Sequence, residues 1–140
     1  IMSSKIKDET FAKQMMGTTI GIIPKGDTFV APTDGQMIIC EGHAFAIQAP
    51  NGVQTLVHIG LDTVKIDAKK KAKIFKYSKA VGDSVKVGQA IVKVDFKAIK
   101  NLGFDITTPV VVISESVNGK TVSFKNIGPV EAKDILFTVE

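Results

Sequence analysis

The sequence predicts an all-β fold, a β-sandwich or barrel-sandwich hybrid with one or two short helical turns. Short apolar runs recur at intervals of roughly 8 to 15 residues, and Gly, Pro and Asp separate them. Aromatic residues make up only 6% and Trp is absent, so Val, Ile, Ala and Leu must build most of the core. A weak internal repeat, in which a turn leads into an apolar strand at 31–38 and again at 81–92, is typical of a duplicated hybrid motif.

Each predicted element follows from the residues that border an apolar run. Pro24, the 25–27 turn and the 32–35 turn end the first two strands. The predicted strands are 18–23, 28–31, 36–40, 43–49, 53–59, 72–77, 84–87, 90–96, 109–114, 121–125 and 135–139. Helical turns are predicted at 8–15 and at 96–102, the second ended by Gly103. Because no Gly/Ser-rich linker interrupts the pattern, we expect residues 1–140 to form one domain.

Composition and charge exclude several classes of protein. Hydrophobic residues make up 44% and charged residues 23%, which is ordinary for a soluble domain. No apolar run reaches the roughly 20 residues of a membrane helix, and the first 14 residues lack a signal-peptide pattern. The single cysteine, Cys40, cannot form an internal disulfide, so we expect a cytoplasmic protein. The net charge is +4, but the sequence has no Arg-rich stripe and no aromatic residues interleaved with basic ones. This pattern favours a solvated lysine face over a nucleic-acid surface.

The two histidines of the chain flank a predicted hairpin. Asn51-Gly52 is a strong signal for a two-residue type I′ turn. That turn would place His58 opposite Phe45, and His43 opposite Gly60, which would leave open space above it. His43 and His58 would then share one face as diagonal neighbours, with their backbone positions roughly 7 to 8 Å apart. The sequence therefore predicts two imidazoles that can hold one small anion or one metal ion between them.

An imidazole pair of this kind allows several functions. One neutral ring can act as a nucleophile while the other donates a hydrogen bond to a bound phosphoryl group. Asp62, four residues after His58, could orient a ring or meet a cation of a partner protein. Two histidines are one ligand short of a catalytic zinc site, so zinc at His43 and His58 would need a carboxylate from a partner. The spacing also fits two histidines that lie together without a function.

Several motifs occur in order across nearly the whole chain. They are F-V-A-P-T-D-G at 29–35, G-H-A-F-A-I at 42–47, L-V-H-I-G-L-D-T-V at 56–64, V-G-D-S-V-K-V-G at 81–88 and T-P-V-V at 108–111. With these motifs the chain resembles the glucose-type enzyme IIA domains of the bacterial phosphoenolpyruvate-dependent sugar phosphotransferase system. The H-I-G-L-D-T-V block with its upstream G-H-A-F is highly specific for that family.

The resemblance implies a phosphotransferase component that accepts phosphate from the small carrier HPr and gives it to a cysteine of a IIB domain for sugar uptake. By position, His58 matches the phosphorylated histidine and His43 the histidine that stabilises the phosphate. Asp62 and Asp8 match acidic residues that face the donor's arginine. The apolar rim on which partners dock matches Phe11, Met15, Met16, Ile39, Leu56 and Val64. The chain is also expected to have regulatory protein targets. We expect it to need no cofactor, to bind no nucleic acid and not to insert directly into a membrane.

The chain departs from the family pattern at a few positions. Glu41 stands where family members usually carry a threonine that hydrogen-bonds within the site, and Lys13 and Lys65 stand where some members are acidic. Compared with the family pattern, we expect the leading strand of the P-x-S-G type to be missing from residues 1–140, either because an edge strand is lost or because these residues are a piece of a longer chain. A regulatory module that keeps the fold without phosphotransfer is therefore an alternative. A biotinyl- or lipoyl-type carrier is more remote, because the only candidate hairpin lysine, in 132–134, lacks the expected flanks, and a related cell-wall endopeptidase would need an H-x-H pair.

Overall fold

The computed structural model describes residues 17–24, 26–113, 122–124 and 137–139. A short 3-10 helix spans Thr63–Lys65, and two α-helices follow, α1 (Ala68–Ile74) and α2 (Phe96–Asn101). The strands are β1 (Gly17–Ile22), β2 (Thr28–Val30), β3 (Gly35–Glu41), β4 (Ala44–Gln48), β5 (Gln54–His58), β6 (Phe75–Tyr77), β7 (Ser84–Val85), β8 (Ala90–Val94), β9 (Thr108–Ile113), β10 (Val122–Phe124) and β11 (Phe137–Val139). The prediction of a fold made mainly of strands is confirmed.

Two antiparallel sheets hold most of these strands. The larger sheet has the order β1-β9-β5-β4-β3-β7, and a three-stranded sheet has the order β2-β8-β6. Strands β10 and β11 pair with each other. Neighbouring strands in the larger sheet come from distant parts of the chain, since β9 lies between β1 and β5. The sheet order therefore brings residues of the His58 strand next to a strand about fifty residues further along.

The main core lies between the two sheets. Phe45 and Ile47 of β4 pack there with Val92 and Val94 of β8, and all four side chains are buried. Burial of a side chain of this size contributes about 1.5 to 3 kcal/mol. The alternate residues of the larger sheet point to its other face, where they form a smaller cluster of Ala44, Ala46, Leu56, Leu61 and Val111. Both faces of β4 are therefore covered, as expected for a central strand.

The predicted strand at 72–77 is half wrong. Its first part belongs to α1, and only Phe75–Tyr77 is a strand. The Asp67 carboxylate accepts a hydrogen bond from the Lys70 backbone N–H at 3.1 Å, which caps the N-terminus of α1. Lysine and alanine are good helix formers, and only Ile74 of this helix is buried. The local helix signal therefore outweighs the short apolar run.

The predicted helical turn at 96–102 is confirmed as α2. The Asp95 carboxylate caps its N-terminus by accepting from the Ala98 N–H at 3.1 Å, and Gly103 follows its end with φ +88°. The remaining strands agree with the prediction except at their ends, and the strand predicted at 84–87 includes only Ser84–Val85. The helical turn predicted at 8–15 lies outside the described residues.

Candidate functional site

The hairpin that carries the two histidines has a three-residue loop. The N–H of Ala49 donates to the carbonyl of Val53, and the N–H of Gly52 donates back to the carbonyl of Ala49, each at 2.9 Å. Gly52 has φ +88°, and the side chain of Asn51 accepts from the Val53 N–H. This is the geometry of a three-residue hairpin with glycine in the left-handed region. The predicted two-residue turn at Asn51-Gly52 is therefore wrong by one residue.

The longer loop moves every pair in the hairpin by one position. His58 lies opposite Ala44, while Phe45 lies opposite Val57. Residues that pair across antiparallel strands share a face, so His58 lies on the face of the smaller cluster, away from the main core. The predicted pairing of His58 with Phe45 would have turned His58 toward the interior. The observed register leaves its side chain only partly buried.

The two imidazoles nevertheless meet, because His43 lies in a turn. His43 follows Gly42, which has φ +40°, and precedes the first residue of β4. Its carbonyl accepts from the Ile59 N–H at 2.6 Å, so Ile59, not Gly60 as predicted, lies opposite it. The turn frees His43 from the strict alternation of a strand. The ring centroids of His43 and His58 are 4.9 Å apart with an interplanar angle of 69°.

A backbone carbonyl determines the tautomer of His58. Its Nδ1 lies 2.8 Å from the carbonyl oxygen of Gly60. A carbonyl oxygen can only accept a hydrogen bond, so Nδ1 carries the proton and the lone pair of the neutral ring is on Nε2. Gly60 has φ +79°, and an added Cβ would lie 2.7 Å from Cγ2 of Thr63. The role of Gly60 was missed from the sequence, where the only signal was a glycine two residues after the histidine.

The environment of His43 keeps its ring neutral. Burial, then the neighbouring His58, then the charge of Lys71 lower the pKa of His43 from 6.5 to about 4. Its Nδ1 is buried and has no hydrogen-bond partner among the described residues. A buried unpaired N–H is rarer than an under-satisfied acceptor, which favours the tautomer with the proton on Nε2. We therefore assign the proton of the neutral His43 ring to Nε2.

Two residues of the α1–β6 segment support the turn that carries His43. The Tyr77 hydroxyl lies 2.8 Å from the carbonyl oxygen of Gly42 and 3.1 Å from that of Ala44. Lys71 donates from Nζ to the carbonyl of Val64 at 3.1 Å, and its Cδ lies 3.1 Å from the place of a Gly42 Cβ. No local sequence pattern identifies these contacts with the turn, because Tyr77 and Lys71 are about thirty residues from Gly42 along the chain.

The predicted apolar rim is only partly exposed. Ile39 is 37% exposed and Val64 is 58% exposed. Leu56 differs from the expectation for an open docking surface, because it is only 8% exposed and packs in the smaller cluster. It shares a face with Ala46 and so with Ile39, which also pairs with Ala46. Phe11, Met15 and Met16 lie outside the described residues.

The predicted acidic residue Asp62 lies in an exposed turn after the His58 strand. It has φ +59°, the left-handed conformation that aspartate tolerates better than most residues, and it precedes the 3-10 helix. Its carboxylate is 3.9 Å from Nζ of Lys65, and both side chains are largely exposed. Such an exposed pair leaves the carboxylate available to another cation. Asp8 lies outside the described residues.

The described residues offer no complete metal site of their own. Within them, no group of three or more His, Cys, Asp and Glu side chains could hold a metal ion. Zinc at His43 and His58 thus stays a prediction that depends on a ligand from a partner. In the same part of the chain, no helix is long and apolar enough to cross a membrane.

Comparisons with known proteins match this chain over most of its length. The family model described as phosphoenolpyruvate-dependent sugar phosphotransferase system, EIIA 1, matches residues 1–118. The glucose-specific EIIA component of Mycoplasma capricolum is 32% identical over 138 residues, which cover 97% of this chain and 86% of that protein. The solved structure of glucose permease IIA from Mycoplasma capricolum has a TM-score of 0.86 at 31% identity and covers 98% of this chain and 86% of that one.

A longer relative contains a similar segment. The glucose-specific EIICBA component of Staphylococcus carnosus is 33% identical over 139 residues, and the match covers 98% of this chain but only 20% of that protein. This chain therefore spans about a fifth of the length of that relative. The neighbour's sandwich fold agrees with the two-sheet architecture described above. Because the family model, the relatives and the fold agree, the chain belongs to the EIIA 1 family of the phosphoenolpyruvate-dependent sugar phosphotransferase system, whose members are phosphotransferase components.

Proposed function

We propose that this chain is a cytoplasmic phosphohistidine carrier that takes a phosphoryl group on Nε2 of His58 and passes it to another protein. The observation that carries the proposal is the 2.8 Å hydrogen bond from His58 Nδ1 to the Gly60 carbonyl. This bond keeps the proton on Nδ1, so Nε2 presents a lone pair without first losing a proton. Membership of the EIIA 1 family supports the same function.

His43 would stabilise the transferred group as a neutral donor. The low pKa of His43 keeps its ring uncharged near neutral pH, and its unpartnered Nδ1 favours a proton on Nε2. With the ring centroids 4.9 Å apart, an N–H of His43 is close enough to a phosphoryl group on His58 to donate to one of its oxygens. A neutral donor supports the group without adding a full ion pair, which suits a carrier that must release its phosphate.

The transfer step exchanges one P–N bond for another. The His58 Nε2 lone pair forms a bond to phosphorus while the P–N bond of the donor's phosphohistidine breaks, and the donor imidazole recovers that electron pair. The Nδ1 proton of His58 stays in its hydrogen bond to Gly60. In onward transfer a cysteine thiolate of the acceptor forms a P–S bond while the P–N bond to His58 Nε2 breaks, and the His58 imidazole recovers that electron pair. Neither step requires a metal ion of this chain.

We assign HPr as the donor and a IIB domain as the acceptor. Names such as EIICBA in Staphylococcus carnosus and EIIBCA in Dickeya chrysanthemi join the A component to B and C components, which supports a IIB partner. The exposed Asp62 is available to an arginine of the donor, and Ile39 and Val64 offer apolar surface for docking. Five further residues are proposed to complete this surface when a partner binds, namely Asp8, Phe11, Met15, Met16 and Leu56.

Mass spectrometry of the intact protein tests the proposal. Incubation with phosphoenolpyruvate, enzyme I and HPr should add about 80 Da, one phosphoryl group, as an acid-labile modification. His58→Ala should remove the gain, whereas His43→Ala should still accept phosphate and pass it on slowly. Full onward transfer by His43→Ala would refute the role of His43. No gain in the wild type with active donors would instead favour the regulatory module. Glu41→Thr would then be the first variant to test for a restored gain.

The position of the phosphoryl group provides a second test. Heteronuclear NMR of the phosphorylated protein distinguishes attachment at Nε2 from attachment at Nδ1. The hydrogen bond to Gly60 predicts attachment at Nε2. Attachment at Nδ1 would show that this bond does not determine the tautomer that reacts.

A further inference from the structure

The orientation of the His43 ring depends on its backbone. Its Nδ1 has no hydrogen-bond partner among the described residues, so no such bond at that nitrogen holds the ring. Its carbonyl is held by the Ile59 N–H at 2.6 Å, and the preceding Gly42 has φ +40°. A side chain without its own polar anchor keeps its place only if the backbone and the packing around it are held. The residues that hold the 42–44 turn therefore decide where the ring points.

One side chain binds the backbone carbonyls of the two residues on either side of His43. The Tyr77 hydroxyl lies 2.8 Å from the Gly42 oxygen and 3.1 Å from the Ala44 oxygen, so its single proton is shared between them. Tyr77 ends β6 of the three-stranded sheet, whereas the turn belongs to the six-stranded sheet. Its hydroxyl therefore ties the turn of one sheet to the end of the other.

The chemistry of Tyr77 makes it a constant donor. Burial raises the pKa of Tyr77 well above its ordinary value, and the nearby Cys40 and Glu41 raise it further. The hydroxyl stays protonated at every pH at which the protein would work. We propose that Tyr77 is a positioning residue for His43, holding the carbonyls on both sides so that the ring keeps its place against His58. This inference rests on the proposed function, in which His43 supports the phosphoryl group.

The chain supplies a matched control at the next residue. The Ser78 hydroxyl also lies close to two backbone carbonyls, those of Ala90 at 3.0 Å and Ile91 at 3.2 Å. These carbonyls belong to β8 and do not flank a histidine. Ser78→Ala therefore removes a hydroxyl that, like the Tyr77 hydroxyl, lies close to two backbone carbonyls, but these carbonyls belong to β8 and not to the residues beside His43. Tyr77→Phe removes only the hydroxyl and keeps the ring, so the packing of β6 is preserved.

Two measurements on Tyr77→Phe and Ser78→Ala test the proposal. The first is the pH titration of the His43 ring by NMR, which needs no phosphate. The charged groups that face this ring are His58 of β5 and Lys71 of α1, and both remain in the two variants. The second is the rate of phosphate acceptance by His58 compared with the rate of onward transfer to a IIB domain.

We expect Tyr77→Phe to raise the pKa of His43 from about 4 toward 6.5, because a loosened turn admits water to the buried ring. Onward transfer should slow by about five- to tenfold, the effect of losing one net hydrogen bond, while acceptance changes less. Ser78→Ala should change neither quantity.

The proposal is overturned if Tyr77→Phe leaves either the His43 titration or onward transfer unchanged, or if Ser78→Ala changes both by a similar amount. Failure of the proposed function appears separately, as the absence of the 80 Da gain in the wild type. In that case the titration alone decides whether Tyr77 positions the ring.

Discussion

Gly60 is the position at which one added methyl group should affect both stability and phosphotransfer. It has φ +79°, and a Cβ there would lie 2.7 Å from Cγ2 of Thr63 and 3.1 Å from the carbonyl oxygen of Asp105. Thr63 cannot easily move away, because it is fully buried and its hydroxyl donates to the Ile59 carbonyl at 2.6 Å. Gly60→Ala therefore combines a strained backbone with a steric overlap, at the residue whose carbonyl holds His58.

Gly52→Ala separates these two effects. Gly52 has a similar φ of +88°, but nothing lies within 4 Å of its added Cβ. The left-handed conformation alone costs an alanine roughly 1 to 2 kcal/mol. Overlap in a well-packed region adds typically about 1 to 3 kcal/mol. We therefore expect Gly60→Ala to lower the free energy of unfolding by about 2 to 5 kcal/mol, and Gly52→Ala by about 1 to 2 kcal/mol.

Urea unfolding at neutral pH measures the stability difference, and mass spectrometry under conditions in which both variants are folded measures phosphate acceptance. A shift of the Gly60 carbonyl weakens its bond to His58 Nδ1, so acceptance by Gly60→Ala should fall about tenfold or more. Gly52→Ala should accept phosphate at the wild-type rate. Equal destabilisation of the two variants, with equal acceptance, would refute both the steric argument and the role assigned to the Gly60 carbonyl.

Two further predictions concern pH and capping. The folded pKa of His43, about 4, lies below the ordinary 6.5, so the unfolded chain binds more protons between these values. This histidine therefore makes the protein less stable as pH falls from about 6.5 to about 4. The variant His43→Gln should lose less unfolding free energy than the wild type between pH 7 and pH 5, as measured by urea titrations at both values. An unchanged pH dependence would contradict the low pKa of His43. Asp95→Ala removes the cap of α2 and should lower the free energy of unfolding by about 1 kcal/mol, while phosphate acceptance stays at the wild-type rate. A loss of acceptance in folded Asp95→Ala would show that α2 influences the site.

Local patterns were enough to predict the fold class and most of the strands. Short, continuously apolar runs such as 44–48 and 108–113 identify strands that are buried on both faces, because turn residues border a few consecutive apolar residues. The α2 helix was predicted from Gly103 at its end, while the Asp95 cap at its start was seen only in the structure. The α1 helix was missed because its apolar residues are few and its lysines face the solvent.

The order of residues along the chain was sufficient to predict the fold class and the proximity of His43 and His58. The register that joins them was decided only in three dimensions, because Asn51-Gly52 fits both a two-residue and a three-residue loop and neighbouring packing selects one. The Gly60 carbonyl on His58 and the Tyr77 hydroxyl beside His43 were also decided there. The Tyr77 bond joins residues far apart in the chain, and the Gly60 bond accompanies a left-handed backbone at a position where Thr63 and Asp105 leave no room for a Cβ. Side-chain order within the site therefore depends on the packed sheets as well, because the hydroxyl beside the His43 turn comes from Tyr77 of another strand and the space around Gly60 is limited by Asp105 of a distant segment.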